Sequence, residues 1–389
     1  MDARSGTRGF WLLAALGAAL TGAGLLAAHY LDEHGHVVTG MDNQVVWGLP
    51  HVFAIFMIVA ASGVLNVASV GSVFGHAPYK ARARLAGLLS LALLAGGLLV
   101  LVLDLGRPDR VLVAATNYNF RSMFAWNVFL YSGLAAVVAV YLWTLFAPAG
   151  GRWSRPVGIA VLVWRIVLTT GTGSIFAFLV ARQAFGSALL GPLFVVLSFG
   201  WGLAVFLIAQ AALEAAGGRA TPPAIRQRLT RLLGLFVAAS LFLVAVLHLS
   251  KGYFAQQQAL QAFLLRDGGV LTLLFWGGYV LVGSLLPLAL AFGPRSGEPR
   301  VALLAAIAVV AGAFAWLFAF LVGGQAFPLE LFPGWAASSS FGDGRIAHYA
   351  PAWPEWLLGV GGVGAACLIT VVGTHLLDFE PADDAVGVH

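Results

Sequence analysis

Read for hydrophobicity alone, the chain is a succession of long apolar runs separated by short polar connections. A bilayer core needs about 20 apolar residues per helix. Ten stretches meet that requirement, at about 9–31, 49–72, 85–103, 123–147, 156–180, 188–213, 230–251, 269–292, 300–323 and 355–377. Period-two alternation is absent, so the spans are read as helices and the fold class as an all-α polytopic membrane protein. The connection from Glu214 to Arg231 is basic and broken by glycine and proline, and it divides the spans into an early six and a later four.

Composition supports this reading. Hydrophobic residues make up 60% of the 389 positions and charged residues only 10%, outside the range of a soluble domain. The first span follows Arg4 and Arg8 but ends in AHYLDEH rather than a small-residue cleavage site, so it is expected to be a retained helix. The formal charge of +5 is spread over many short loops, which argues against a nucleic-acid partner. With ten crossings, one assignment of sides puts thirteen of the twenty-one basic residues on the side of both termini and seven on the other, with Arg165 inside a span. The positive-inside rule then predicts cytoplasmic termini. The chain has one cysteine, Cys367, too few for a disulfide, an iron–sulfur cluster or a c-type haem attachment of its own. If the protein moves electrons, a partner must carry most of the redox centres.

Ionisable residues within spans are costly and mark function. The chain offers His51 at the start of the second span, Asp104 at the close of the third in LVLDLGRPDR, Arg165 in the fifth, and His248 with Lys251 near the end of the seventh. At about 100° per residue, Ser62, Asn66 and Ser69 share the helix face of His51. That polar stripe reads either as a path for protons or as small polar residues that hold helices together. Asn127 and Tyr131 stand one turn apart on the fourth span and share a face. Arg165 either snorkels to the inner surface or lines an internal polar cavity. Asp104 sits at the negative end of a helix dipole, where a carboxylate needs a nearby cation, and Arg107 is the expected one. The 251–269 connection suits a short interfacial helix. The stretch at about 324–354, with its Ser338–Ser340 run, is expected to pack on the bundle or on a partner, and the acidic tail from Asp378 to be a solvated end. No metal site is expected.

Met41–Gly63, LVLDLGRPDR and Asn117–Gly133 resemble the membrane subunits of polysulfide-reductase-type complexes, the NrfD-like family. The ten-span layout resembles the variety that accompanies dissimilatory sulfite reductase. The resemblance implies two four-helix bundles, an early one at about 49–180 and a later one at about 188–323, with flanking helices at about 9–31 and 355–377, in one integral membrane domain over 1–389. It implies a chain with neither haem nor iron–sulfur cluster that takes a quinone, menaquinone or ubiquinone, as substrate. The implied partners are a ferredoxin-like iron–sulfur subunit on the outer, periplasmic side, further cytochrome or catalytic subunits, and membrane lipid. The implied location is the bacterial inner membrane, and the implied work is electron transport in sulfur metabolism. Carried over by position, the quinone pocket falls on His51, Asp104, Asn127, Tyr131 and Arg107. Some relatives use a glutamate within a span, whereas no span interior here holds a carboxylate.

The leading expectation is therefore a quinone-reactive subunit in which His51 and Asp104 exchange protons and Asn127 and Tyr131 hold the quinone oxygens. Arg107, Arg110 and Arg121 would support the site or the docking of the partner. Ser62, Asn66, Arg165, His248 and Lys251 form a candidate polar path. Two other readings stand beside it: a secondary transporter with its site at Arg165 and a helix broken at Gly171–Ser174, and a b-type cytochrome ligated by His51 and His248.

Overall fold

The computed structural model describes residues 3–147, 150–218, 220–329 and 344–377. Among these, ten helices are long and apolar enough to cross a membrane, which makes this an all-α multi-pass membrane protein. They are α1 (Ala3–His34), α2 (Leu49–Ser72), α3 (Ala77–Leu103), α4 (Met123–Phe146), α5 (Ser154–Ala177), α6 (Leu190–Ala215), α7 (Pro223–Tyr253), α8 (Val270–Phe292), α9 (Pro299–Ala326) and α10 (Trp353–Leu376). Five of them carry a proline in the first turn: Pro50, Pro78, Pro223, Pro299 and Pro354. At that position the missing N–H has no helical partner to lose, and the fixed φ suits a helix start. The apolar runs supply the spans, and these prolines fix where several of them begin.

Packing arranges the helices in two rings. Helices α2, α3, α4 and α5 contact one another in sequence and close through α5 on α2. Helices α6, α7, α8 and α9 do the same and close through α9 on α6. Helix α2 joins the rings, since it also packs on α6, α9 and α10, and it is buried on nearly every face. Its all-round hydrophobicity, with small residues at the crossings, is what a helix in that position requires. Helix α10 lies on α2 and α3, and α1 lies on α10. Helix α8 is π-helical over Leu274–Leu285, and its Gly283 meets Gly312 of α9 at backbone distance.

Several expectations change at this level. The Gly171–Ser174 stretch does not break its helix: α5 runs unbroken to Ala177, with the Ser174 hydroxyl donating to the Thr170 carbonyl at 2.7 Å. This removes the structural premise of the transporter reading. The 251–269 connection does contain a short helical segment, Gln258–Ala262 continued by Phe263–Asp267, which buries Leu260, Gln261, Phe263 and Leu264 against the second ring and exposes Gln258, Ala259, Arg266 and Asp267. Arg165 sits midway along α5, 3% exposed, and does not snorkel. The Ser338–Ser340 run and the tail from Asp378 lie outside the described residues.

The closest helix crossing places Gly63 of α2 against Ser198 and Gly202 of α6, where a Cβ would overlap the Ser198 carbonyl. Gly22 of α1 has open space around it. Gly63→Val should therefore destabilise the fold by about 1–3 kcal/mol or more, read as a fall in thermal midpoint in detergent. Gly22→Ala should leave the midpoint unchanged or slightly raised, and equal effects of the two substitutions would contradict the packing described.

Candidate functional site

Two of the residues predicted to carry chemistry, His51 and Asp104, meet at the end of the bundle where α2 begins and α3 stops. Asp104 is the first residue past α3, and its side chain is 1% exposed. Its Oδ2 lies 2.9 Å from His51 Nδ1, so the expected Asp104–His51 pair is formed. The approach is out of line for a well-directed hydrogen bond, and neither carboxylate oxygen has one within the described residues.

The second partner is not Arg107. That guanidinium turns outward and grips Asp109 through Nε–Oδ1 at 3.0 Å and Nη2–Oδ2 at 2.9 Å, because α3 has already ended at Leu103 and the turn through Leu105 and Gly106 carries Arg107 away from the bundle. His36 takes its place. Its Nε2 donates to the Asp104 backbone carbonyl at 2.9 Å and lies 3.7 Å from Oδ1. Burial alone would push the Asp104 carboxyl up; its contacts with His36 and His51 outweigh that and hold it below the ordinary carboxylate value. The same contacts, with the more distant charge of Glu355, raise His36 against the opposing effect of its own burial.

The strand of chain between α1 and α2 delivers His36 and the start of α2, and it is tied down along its length. Gly40 N–H donates to Glu355 Oε2 at 2.8 Å, and Leu49 N–H to the Tyr349 hydroxyl at 2.6 Å. That hydroxyl donates to Glu355 Oε1, and the buried charge beside it, with desolvation, drives the Tyr349 phenol far above its ordinary value. Gln325 at the end of α9 is fully buried and acts as a substitute peptide group. Its Oε1 accepts from Val46 and Trp47 N–H at 3.1 and 3.0 Å, while its Nε2 donates to the Trp47 carbonyl at 3.0 Å. Arg182, from the α5–α6 loop, donates to the carbonyls of Gln44 at 2.8 Å and Gln325 at 3.0 Å. Glu355, fully buried in the first turn of α10, is the carboxylate that the sequence reading did not find inside the spans.

Trp47 connects this cluster to the aromatic wall behind it, with ring centroids 6.3 Å from His51, 6.2 Å from Phe124 of α4 and 5.9 Å from Phe176 of α5. One turn deeper than Phe124, Asn127 is buried. Its Nδ2 donates to the Met123 carbonyl at 2.8 Å and reaches the Gly171 carbonyl at 3.5 Å, and its Oδ1 has no partner. Tyr131, one turn further on, lies beside Thr172. Asn127 and Tyr131 therefore face α5, one or two turns below Trp47, and neither touches Asp104.

Deeper still, Arg165 Nη1 donates to Asn66 Oδ1 at 2.6 Å and to the Ser62 carbonyl at 3.3 Å, and Phe199 covers it at 5.4 Å. The Ser62 hydroxyl in turn donates to the Arg165 carbonyl at 3.1 Å. The predicted polar face of α2 thus meets the predicted arginine of α5. His248 and Lys251 belong to the second ring, where His248 Nδ1 contacts Gln261 Oε1 at 2.7 Å. His51 and His248 serve separate clusters, with α6 and α9 packed between α2 and α7, so they do not face one another as axial ligands would. Among the described residues no three His, Cys, Asp or Glu side chains converge to hold a metal ion.

Comparison with known proteins adds to this geometry. Residues 37–329 match the family model described as polysulphide reductase, NrfD. The chain is 31% identical over 379 residues to an Hdr-like menaquinol oxidoreductase integral membrane subunit from Archaeoglobus fulgidus, covering 96% of this chain and 94% of the relative. It is 28% identical to a provisionally named membrane subunit of dimethyl sulfoxide reductase from Halobacterium salinarum, over 92% of this chain and 89% of the relative. It is 22% identical to a subunit of selenate reductase from Mesobacillus selenatarsenatis, over 91% of each.

The histidine–carboxylate cluster makes the tethered strand sensitive to pH. Asp104, lowered, contributes stability that is complete above the ordinary carboxyl value of 3.8 and lost as pH falls through its lowered value. His36, raised, contributes stability that is complete below the ordinary imidazole value of 6.5 and lost as pH rises through its raised value. Hydrogen exchange at Gly40, Val46, Trp47 and Leu49, corrected for intrinsic rates, should show full protection between those two values and a decline above 6.5. His36→Gln should remove the alkaline decline; a profile identical to that of the unmutated protein would exclude His36 as its source.

Proposed function

The chain belongs to the polysulphide reductase NrfD family, and on that premise we propose that it is the quinol- and quinone-reactive membrane subunit of a multi-subunit oxidoreductase. The observation that carries the proposal is the buried Asp104 carboxylate in contact with His51 at the edge of an aromatic wall. His51 sets its Nδ1 2.9 Å from Asp104 Oδ2, a close contact rather than a well-directed hydrogen bond, and its side chain stays partly exposed at 19%. A quinone is a flat apolar ring with two oxygens, so its site needs an apolar slot, polar groups for the oxygens and a proton-exchanging group. Trp47, Phe124 and Phe176 supply the slot, and His51 backed by Asp104 supplies the proton exchange. The unpartnered Oδ1 of Asn127 accepts a hydrogen bond from a quinol hydroxyl, and Tyr131 lies at the inner end of the same face.

Oxidation of quinol to quinone releases two protons and two electrons, and the reverse reaction consumes them. The protons pass through His51 and Asp104 to the nearby aqueous edge. The electrons pass to or from a partner protein, since one cysteine cannot hold the clusters that would carry them. The distribution of basic residues puts the Asp104 end on the outer side, with both termini in the cytoplasm. At that end the turn and short helix after α3 expose Leu112 (75%), Val113 (56%) and Phe120 (62%) beside Arg107, Arg110 and Arg121. Apolar side chains flanked by guanidinium groups suit the docking of an acidic ferredoxin-like iron–sulfur subunit. The relative named as a menaquinol oxidoreductase subunit supports the quinone assignment, and all three relatives, by name, are subunits of oxidoreductases.

In the intact complex, His51→Ala and Asp104→Asn should each lower quinol-dependent electron transfer by about 100-fold or more, the usual contribution of a positioned acid–base group. Arg107→Gln should leave quinol binding to the membrane subunit unchanged, because its partner is Asp109 and not Asp104, and any fall in rate should come from docking of the partner alone. Normal rates in both the His51 and Asp104 variants would refute the assignment.

A further inference from the structure

The second ring contains a cavity that the His51 site does not use. It lies at the same end of the bundle, encloses about 420 Å³ counting its open mouth, and is walled by Phe275, Trp316 and Phe320, with His248, Lys251 and Gln261 supplying its polar groups. Trp316 and Phe320 stack in parallel, with centroids 4.8 Å apart and planes 7° from coplanar, while Phe275 sits edge-on to His248 at 4.8 Å. The cavity is thus lined by flat aromatic faces on one side and by its polar groups on the other.

Its polar groups are arranged as if for a further partner. Lys251 is 5% exposed, and its ammonium gives two hydrogens to the carbonyls of Gln183 and Phe185, both at 2.8 Å. A third N–H remains, and no carboxylate among the described residues pairs with it. Gln261 is 6% exposed; its Oε1 is engaged by His248 Nδ1, and its buried Nε2 has no partner. A buried amide donor left unmade costs about 1–3 kcal/mol, so the arrangement favours a ligand oxygen at that position. With Oε1 as acceptor, His248 Nδ1 carries the hydrogen, which leaves Nε2 of the neutral ring as an acceptor. The set therefore offers an amide N–H, an ammonium N–H and an imidazole nitrogen beside a flat apolar slot. One ammonium already shared between two carbonyls is poorly matched to a phosphate, whereas these groups suit an uncharged ring bearing carbonyl or hydroxyl oxygens.

We propose that this cavity is a second binding site for a quinone-class headgroup, with Gln261 and Lys251 donating to a ring oxygen and His248 able to accept from a ring hydroxyl. The site is independent of what binds at His51, yet it shares a wall with it. Phe320 lines the cavity and packs on Phe176 at 5.3 Å, and Phe176 packs on Trp47.

The test is the binding stoichiometry of a short-tailed 1,4-naphthoquinone on the purified full-length chain within its complex, in phosphatidylcholine nanodiscs. Two variants address the cavity: Ala319→Phe, which fills it, and Gln261→Leu, which removes the unpartnered donor at nearly constant volume. Each should reduce the stoichiometry from about two to about one per chain, and the remaining equivalent should be the one that His51→Ala removes. If Ala319→Phe fails to fold, Gln261→Leu decides the matter. A stoichiometry unchanged in Gln261→Leu, or a retained phospholipid rather than the naphthoquinone displaced by Ala319→Phe, overturns the proposal. Loss of one equivalent in the cavity variants with none lost in His51→Ala would leave this site standing and remove quinone from the His51 site.

Discussion

A carboxylate taken out of water at the C-terminal end of a helix faces two penalties: the loss of hydration and the negative end of the helix dipole. Asp104 faces both, and much of the surrounding architecture answers them. His51 comes from the first turn of α2, and His36 from the strand of chain that leads into it. For both to reach the carboxylate, that strand must cross the end of the bundle on one fixed course. Gln325, Arg182, Tyr349 and Glu355 fix the course by taking up its backbone groups one by one. These polar groups, buried at Gln325 and Glu355 and half-buried at Arg182 and Tyr349, find partners in the strand they hold, so the tether also meets the requirement that peptide groups near lipid find internal partners.

The helices behind the site are fitted for rigidity. Close glycine crossings lock α2 to α6 and α8 to α9, and interlocked aromatic rings from Trp47 through Phe176 and Phe320 to Trp316 fill the seam between the rings. A site on such a scaffold is preorganised, since the groups around the ligand cannot relax toward one another when it leaves. The unpartnered Asn127 Oδ1 and Gln261 Nε2 persist for that reason: each is held by its own other hydrogen bond and by packing, and neither can turn to satisfy itself. Arg165 shows the opposite outcome. Its guanidinium finds an amide oxygen and a carbonyl across the α2–α5 interface, so the ionisable group deepest in the first ring serves as a neutral-partner clamp between helices.

How much of this could be read from the sequence depended on the range of the interaction. The ten spans were legible because a bilayer imposes one length and one composition on every crossing. The pairing of His51 with Asp104 was legible because ionisable residues at the ends of spans are few, so two at the same depth are natural neighbours. The meeting of the α2 polar face with Arg165 was half legible: the face could be drawn from helical periodicity, its partner helix could not. Arg107 misled because closeness in sequence was taken for closeness in space, across a turn past the end of α3 that carries the chain outward. His36, Gln325, Tyr349 and Glu355 gave no local signal. Three of them lie about 280 or more residues from the backbone groups they hold, and their roles exist only once α9 and α10 stand beside α2. The family resemblance pointed to the end of the early spans where this cluster lies but carried no site residue of the second ring.

The two rings place a histidine at the same end in contrasting surroundings. His51 lies 2.9 Å from a buried carboxylate, so two groups able to exchange a proton are in contact there. His248 faces an amide, with an ammonium nearby, so a proton gained there would meet like charge and no counter-ion among the described residues. The first arrangement sets an imidazole against a carboxylate, the second against a carboxamide that fixes the orientation of the ring. Two bundles built from the same helical parts are thereby separated in chemistry by one choice of partner, aspartate in one and glutamine in the other. The aromatic seam between them packs one cluster against the other without joining their polar groups.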